Sequence, residues 1–99
     1  MYARLVLFTL GPGTRSTADT LMNQFGTALK NQKGFIKGHF IGDDETGQYG
    51  SFVVWESRKD GEAAAEDLFP KMQESLKSLA EEQPQFPLFE VLGVIEVDK

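Results

Sequence analysis

Residues 34–57 read GFIKGHFIGDDETGQYGSFVVWES, and this stretch decides the fold. Two runs rich in β-branched and aromatic residues, 35–41 and 52–55, flank the polar spacer Gly42-Asp43-Asp44-Glu45-Thr46-Gly47. The first composition favours strands and the second favours a tight reversal. The stretch therefore predicts an antiparallel hairpin. Directly behind it, Ser57 followed by Asp60 has the spacing of a helix cap and its acidic partner.

Upstream, residues 2–10 form an apolar run closed by the turn Gly11-Pro12-Gly13, which reads as a further strand. Ser16 then stands as an N-cap with Asp19 three residues on, and Ala18, Leu21, Met22, Phe25, Ala28 and Leu29 recur at helical spacing. Gly34 supplies the left-handed residue expected at that helix's end. Downstream, the second helical region is expected as a short helix over 63–68, a break at Phe69-Pro70, and a second piece turning Met72, Leu76 and Leu79 inward. Pro84 and Pro87 frame the exit, and 89–97 is expected as the last strand. The order is βαββαβ, an α+β domain.

A chain of 99 residues has room for one core, so residues 1–99 are read as a single domain. Ten basic against fifteen acidic residues leave a net charge of −5, which repels phosphate backbones and argues against nucleic acid as a partner. The absence of cysteine removes disulfides, thiolate metal sites and cysteine nucleophiles, and a reducing cytoplasm is the natural expectation. The apolar run at 5–10 is too short to span a membrane and lacks a cleavage signal after it, so no membrane partner is expected.

Alternation divides each strand into two sets of side chains. One set is apolar or small: Ala3, Leu5 and Leu7; Ile36, Gly38 and Phe40; Phe52 and Val54; Phe89, Val91, Gly93 and Ile95. This set is expected under the helices. The other is mixed: Arg4, Val6 and Phe8; Lys37, His39 and Ile41; Val53 and Trp55; Leu88, Glu90, Leu92 and Val94. A wetted sheet face should be polar along its length, whereas this one is not. Leaving several large apolar side chains in water costs about 1.5–3 kcal/mol each, too much for a small domain. A second copy of the chain covering that open face is the simplest remedy.

These features together resemble the antibiotic biosynthesis monooxygenase family of dimeric α/β-barrel proteins. The resemblance rests on the βαββαβ order, on Gly34-Phe35-Ile36-Lys37 opening the second strand, on the acidic hairpin tip, and on Gly50-Ser51-Phe52-Val53-Val54-Trp55-Glu56-Ser57 leading into the second helix. It implies a ferredoxin-like domain with a four-stranded antiparallel sheet, two of which pack face to face into a barrel. It also implies a pocket for a small molecule. Family members include cofactor-independent quinone-forming oxygenases, quinol oxygenases and haem-degrading enzymes. The haem-degrading branch uses an Asn on the first strand and a His on the second helix; here Arg4, Val6 and Phe8 occupy the strand and no His follows His39. No cofactor is expected.

The candidate chemistry gathers on the mixed face. His39, the one histidine, is a candidate proton acceptor, or else an interface residue held by a hydrogen bond. Arg4 is either a donor to an enolate or carboxylate or the cross-strand ion partner of Glu90. Trp55 offers a flat ring and an N–H to a planar ligand, or fills the barrel floor. Phe8, Val53, Glu90 and Leu92 complete the expected substrate contacts. Gly11-Pro12-Gly13 followed by Ser16 lacks the third glycine of a dinucleotide loop and reads as a turn. Asp43, Asp44 and Glu45 lack the distal glutamate of a calcium loop, since Val54 stands there, and no His/Cys cluster exists, so no metal is expected.

Two functions fit this pattern. One is a cofactor-independent monooxygenase acting on a small aromatic or quinol-like molecule. The other is a non-catalytic small-molecule-binding or stress-response dimer of the same fold.

Overall fold

The computed structural model describes residues 1–97. Its elements are β1 (Tyr2–Thr9), α1 (Arg15–Lys30), β2 (Phe35–Asp43), β3 (Gln48–Trp55), α2 (Arg58–Leu76) and β4 (Leu88–Glu90). The strands form one sheet in the order β2-β3-β1-β4, with every neighbouring pair antiparallel. This is the expected α+β, ferredoxin-like arrangement, with the hairpin of residues 34–57 at one edge.

The hairpin closes where the sequence places it. Asp43 pairs with Gln48 across the turn, and Gly47 takes φ +74, a left-handed value costly for any residue with a Cβ. Its amide donates to the Asp43 carbonyl at 2.8 Å and its carbonyl accepts from the Leu10 amide at 2.8 Å. A Cβ on Gly47 would land on the Gly11 carbonyl, so the close approach of these two turns needs glycine.

The two helix starts differ. Ser57 caps α2 as expected, its hydroxyl accepting from the Asp60 amide at 3.1 Å. At α1 the cap is Thr14 and not Ser16, and it makes no side-chain cap bond. Thr14 Oγ1 donates backwards to the Gly11 carbonyl at 2.6 Å, because positive φ at Gly11 and Gly13 curls the turn onto itself. Asp19 pairs with Arg15 at 2.9 Å on the surface. Helix α1 ends at Lys30, with Gly34 taking its left-handed φ of +81 in the connection to β2.

Helix α2 runs through Pro70 without the expected break. An interior proline costs about 3 kcal/mol. Burial of Leu68, Met72 and Leu76 along one face returns about 1.5–3 kcal/mol apiece, which keeps the helix whole.

The last strand is much shorter than expected, three residues and not nine. Register explains this: β4 runs antiparallel to β1 with Leu88 opposite Arg4 and Glu90 opposite Tyr2. A final bond links the Val91 amide to the Met1 carbonyl at 2.9 Å, and the chain then passes beyond the end of β1.

The two sheet faces are largely exchanged relative to the sequence expectation. Val6, Phe8, Val53 and Trp55 lie buried beneath the helices against Ala18, Leu21, Phe25, Ala64 and Met72. Leu5, Phe52 and Phe89 therefore point to the open side, where Phe52 and Phe89 are exposed. Only β2 keeps its expected assignment. A bulge between Phe35 and Lys37 shifts its phase, so Lys37, His39 and Ile41 join the open face while Gly38 and Phe40 align with Val53 and Ser51. When both sets are apolar, alternation separates them without saying which lies inside. The crossover hand and the register choose.

Candidate functional site

Two neighbouring spaces lie between the sheet and the helices. The inner one is a chamber of about 20 Å³ bordered by Arg4, Ser51, Val53, Trp55, Gly61 and Phe69. That volume holds roughly one water molecule. The outer one is a cleft of about 410 Å³ between α1 and β2, open to solvent. Leu29, Ser51 and Val53 border both spaces and form the wall between them. Gly26 and Gly38 hollow out the cleft, and a Cβ on Gly26 would stand 2.8 Å from Phe40 Cζ.

Trp55 closes β3 and is 2% exposed. Phe35 holds its indole edge to face, with ring centroids 5.9 Å apart at 81°. Its Nε1–H is buried and has no hydrogen-bond partner among the described residues. Such an orphan donor costs about 1–3 kcal/mol, so the site carries an unmet demand for an acceptor. The pyrrole edge faces α2: Trp55 Cδ1 lies 3.3 Å from where a Cβ on Gly61 would stand. Glycine at that helical position keeps a side chain off this edge of the ring.

Arg4 reaches the same chamber from β1. Its Nη1 donates to the Phe86 carbonyl at 2.5 Å and its Nη2 to the Gly61 carbonyl at 3.3 Å. The guanidinium stacks over Phe69, 5.1 Å from the ring centre. Burial pushes its pKa down from the ordinary arginine value, and nearby Glu62 opposes that shift. Arg4 therefore ties β1 to the start of α2 and to the segment before β4, while placing positive charge at the chamber wall. Among the described residues it forms no ion pair with Glu90, which is exposed and lies opposite Tyr2.

The structure brings together Arg4, Trp55 and Val53 of the expected site. Phe8 lines a small adjoining space beside Leu21 and Met72. Glu90 sits in a surface groove with Arg58 and Glu62, and Leu92 is fully outside the fold. His39 borders the cleft through the edge of β2, but its register opposite Phe52 sets it on the face away from Arg4 and Trp55. Ser51 and Gly61 belong to the site and were missed by the sequence reading. A small polar residue in the inward series Tyr49, Ser51, Val53, Trp55 was the available sign of the first. Gly61 carried none, because its role depends on what α2 packs against.

The acidic hairpin tip is engaged elsewhere. Asp44 accepts from Tyr49 Oη at 2.8 Å and pairs with Arg15 at 3.2 Å. Burial, reinforced by Asp44, pushes the Tyr49 hydroxyl above its ordinary pKa. Among the described residues no helix is long and apolar enough to cross a membrane.

No family model and no curated protein matches this chain in sequence. Solved structures do match. A monooxygenase from the gene ActVA-Orf6 of Streptomyces coelicolor, in complex with the ligand Nanaomycin D, superposes with TM-score 0.79 at 18% identity, covering 98% of this chain and 92% of that one. SnoaB, a cofactor-independent oxygenase from Streptomyces nogalater, gives 0.74 at 14% identity over 95% and 94% of the two chains. Rv0793 from Mycobacterium tuberculosis gives 0.79 at 14% identity over 96% and 98%. With its sheet order, its helix placement and a superposition of TM-score 0.76 on a putative antibiotic biosynthesis monooxygenase from Nitrosomonas europaea, at 12% identity over 92% of this chain and 89% of that one, the chain has the fold of the antibiotic biosynthesis monooxygenase proteins.

Proposed function

We propose that this chain is a cofactor-independent monooxygenase acting on a small aromatic or quinol-like molecule, and that it works as a homodimer covering its open sheet face. The observation that carries the reading is the buried, partnerless Trp55 N–H beside Arg4 in an otherwise apolar chamber. A ligand oxygen is the missing acceptor. The cleft has room for fused rings, and Leu29, Ser51 and Val53 border both it and the chamber that holds Trp55. The fold neighbours named as oxygenases support the same class.

The chemistry suited to such a site uses dioxygen alone. A substrate with an acidic C–H or phenol gives up a proton to solvent at the open cleft, and its anion transfers one electron to O2. Recombination forms a carbon–oxygen bond as a peroxide anion, which takes a proton back from solvent; loss of water with the hydrogen on the same carbon leaves a carbonyl, so one oxygen atom enters the product and the other leaves as H2O. Trp55 and Arg4 stabilise the anion by hydrogen bonding and charge, and the apolar walls keep water away.

A second reading has its own support. No Asp, Glu or His borders the inner chamber, so no side chain there takes a proton at neutral pH. A dimer that holds an apolar metabolite without transforming it fits that lining. The test is incubation of purified protein with anthrone and quinol compounds under oxygen, following quinone absorbance and oxygen uptake. Turnover that falls at least tenfold in Trp55→Phe, which keeps the ring and removes the donor, supports the enzyme. No turnover across the panel, with a small molecule recovered from the protein by mass spectrometry, overturns it in favour of the binding dimer.

A further inference from the structure

We infer that the cleft between α1 and β2 takes an aromatic ligand bearing a carboxylate, and that Lys30 is the cation that holds it. This rests on the small-aromatic reading above and adds the charge that such a ligand carries.

Fifteen of the 99 residues are acidic, yet none falls between residues 20 and 42, where Lys30, Lys33, Lys37 and His39 stand. That stretch supplies most of α1 and all of β2 except its last residue, and these two elements wall the cleft. The lining follows the same pattern. Its ionisable side chains are Lys30 and His39, and among the described residues no carboxylate borders it. A concave site lined by one sign of charge concentrates ligands of the other, even on a molecule whose net charge is −5.

Lys30 has no competing task in the fold. Arg15, Arg58 and Lys71 each pair with a carboxylate four residues away on their own helix, at 2.9, 2.8 and 3.9 Å. Four residues before Lys30 stands Gly26, which hollows the cleft, and among the described residues Lys30 forms no ion pair. The end of α1 is closed without it: the Thr27 carbonyl accepts from Asn31 Nδ2 at 3.1 Å and the Leu29 carbonyl from the Gln32 amide at 3.1 Å. Met22, Phe35, Phe40 and Val53 give the cleft apolar walls for rings, and Asn23 adds a neutral amide. One ammonium balances one carboxylate, whereas a phosphate monoester brings about two charges and leaves the second against apolar walls.

Calorimetric titration of the full chain with an anthraquinone carboxylate and with the matching carboxamide tests this, since the two probes share rings and differ in charge. Because Lys30 is exposed, the expected preference for the carboxylate is modest, about three- to tenfold in dissociation constant, and it shrinks as salt is added. Lys30→Gln should bind the two probes alike, and Lys30→Glu should prefer the carboxamide, with the near-ultraviolet signature of Trp55 unchanged in both variants. Equal binding of the two probes by wild type overturns the anion site and leaves the aromatic-ligand reading standing. A preference that survives Lys30→Gln overturns Lys30 as the residue that holds the charge. Failure of wild type to bind either probe overturns the anion site together with the reading it rests on.

Discussion

Replacing Gly61 by alanine separates the chemistry of the chamber from the stability of the fold. Gly61 lies in the first turns of α2, where glycine costs about 1 kcal/mol relative to alanine. The added methyl would stand 3.3 Å from Leu88 Cδ1 and 3.3 Å from Trp55 Cδ1, so both must give by a few tenths of an ångström. Leu88 is only half-buried and can move. The steric adjustment offsets part or all of the helix gain, and Gly61→Ala is expected to lie between neutral and about 1 kcal/mol more stable, equivalent to a rise in Tm of up to about 4–8 °C. The chamber, at about 20 Å³, loses its free space, and the Trp55 N–H becomes screened. Loss of one hydrogen bond of about 0.5–1.5 kcal/mol weakens a ligand by roughly 2- to 10-fold, and the excluded volume adds to that. Calorimetric titration of an anthrone probe into wild type, Gly61→Ala, Trp55→Phe and the double variant gives the readout. The two substitutions remove the same contact, so their effects should not add. If Gly61→Ala gains stability while binding the probe as wild type does, the pyrrole edge of Trp55 is not where the ligand's oxygen sits.

Other outcomes follow from particular contacts. Tyr49 has a raised pKa, so its neutral form is favoured in the folded state. The stability it contributes is full below the ordinary tyrosine value near 10 and is lost as pH rises through the higher folded value. Urea midpoints measured from pH 8 to 11 should fall at the alkaline end for wild type, and fall less for Tyr49→Phe. Gly47→Ala combines a left-handed backbone with a clash on the Gly11 carbonyl, and should lower stability by about 2 kcal/mol or more in chemical denaturation. His39→Ala should leave probe turnover within about twofold of wild type, since its side chain lies across the sheet from Arg4 and Trp55; a loss of tenfold would place the open face, not the chamber, at the centre of the chemistry.

Local chemistry in the chain accounts for the element order, the hairpin tip and the Ser57 cap, because turns and caps depend on residues within four positions of one another. Trp55, Arg4 and Val53 were also legible as a group, since alternation places Arg4 opposite Val53 and Trp55 two residues on, whichever face they occupy. His39 could not be placed in the same way. A single bulge beside Ile36 reverses the phase of β2 relative to its neighbours, and nothing in the local composition marks it.

What the sequence determined by itself is therefore a set of strands and helices and the fact that both sides of the sheet are apolar. Tertiary structure alone decided which side meets the helices, how far the last strand can pair, and that Gly61 packs against the pyrrole edge of Trp55. The physical reason is that burial, strand length and cavity shape are properties of register and packing between distant segments. Alternation and capping are properties of neighbours along the chain.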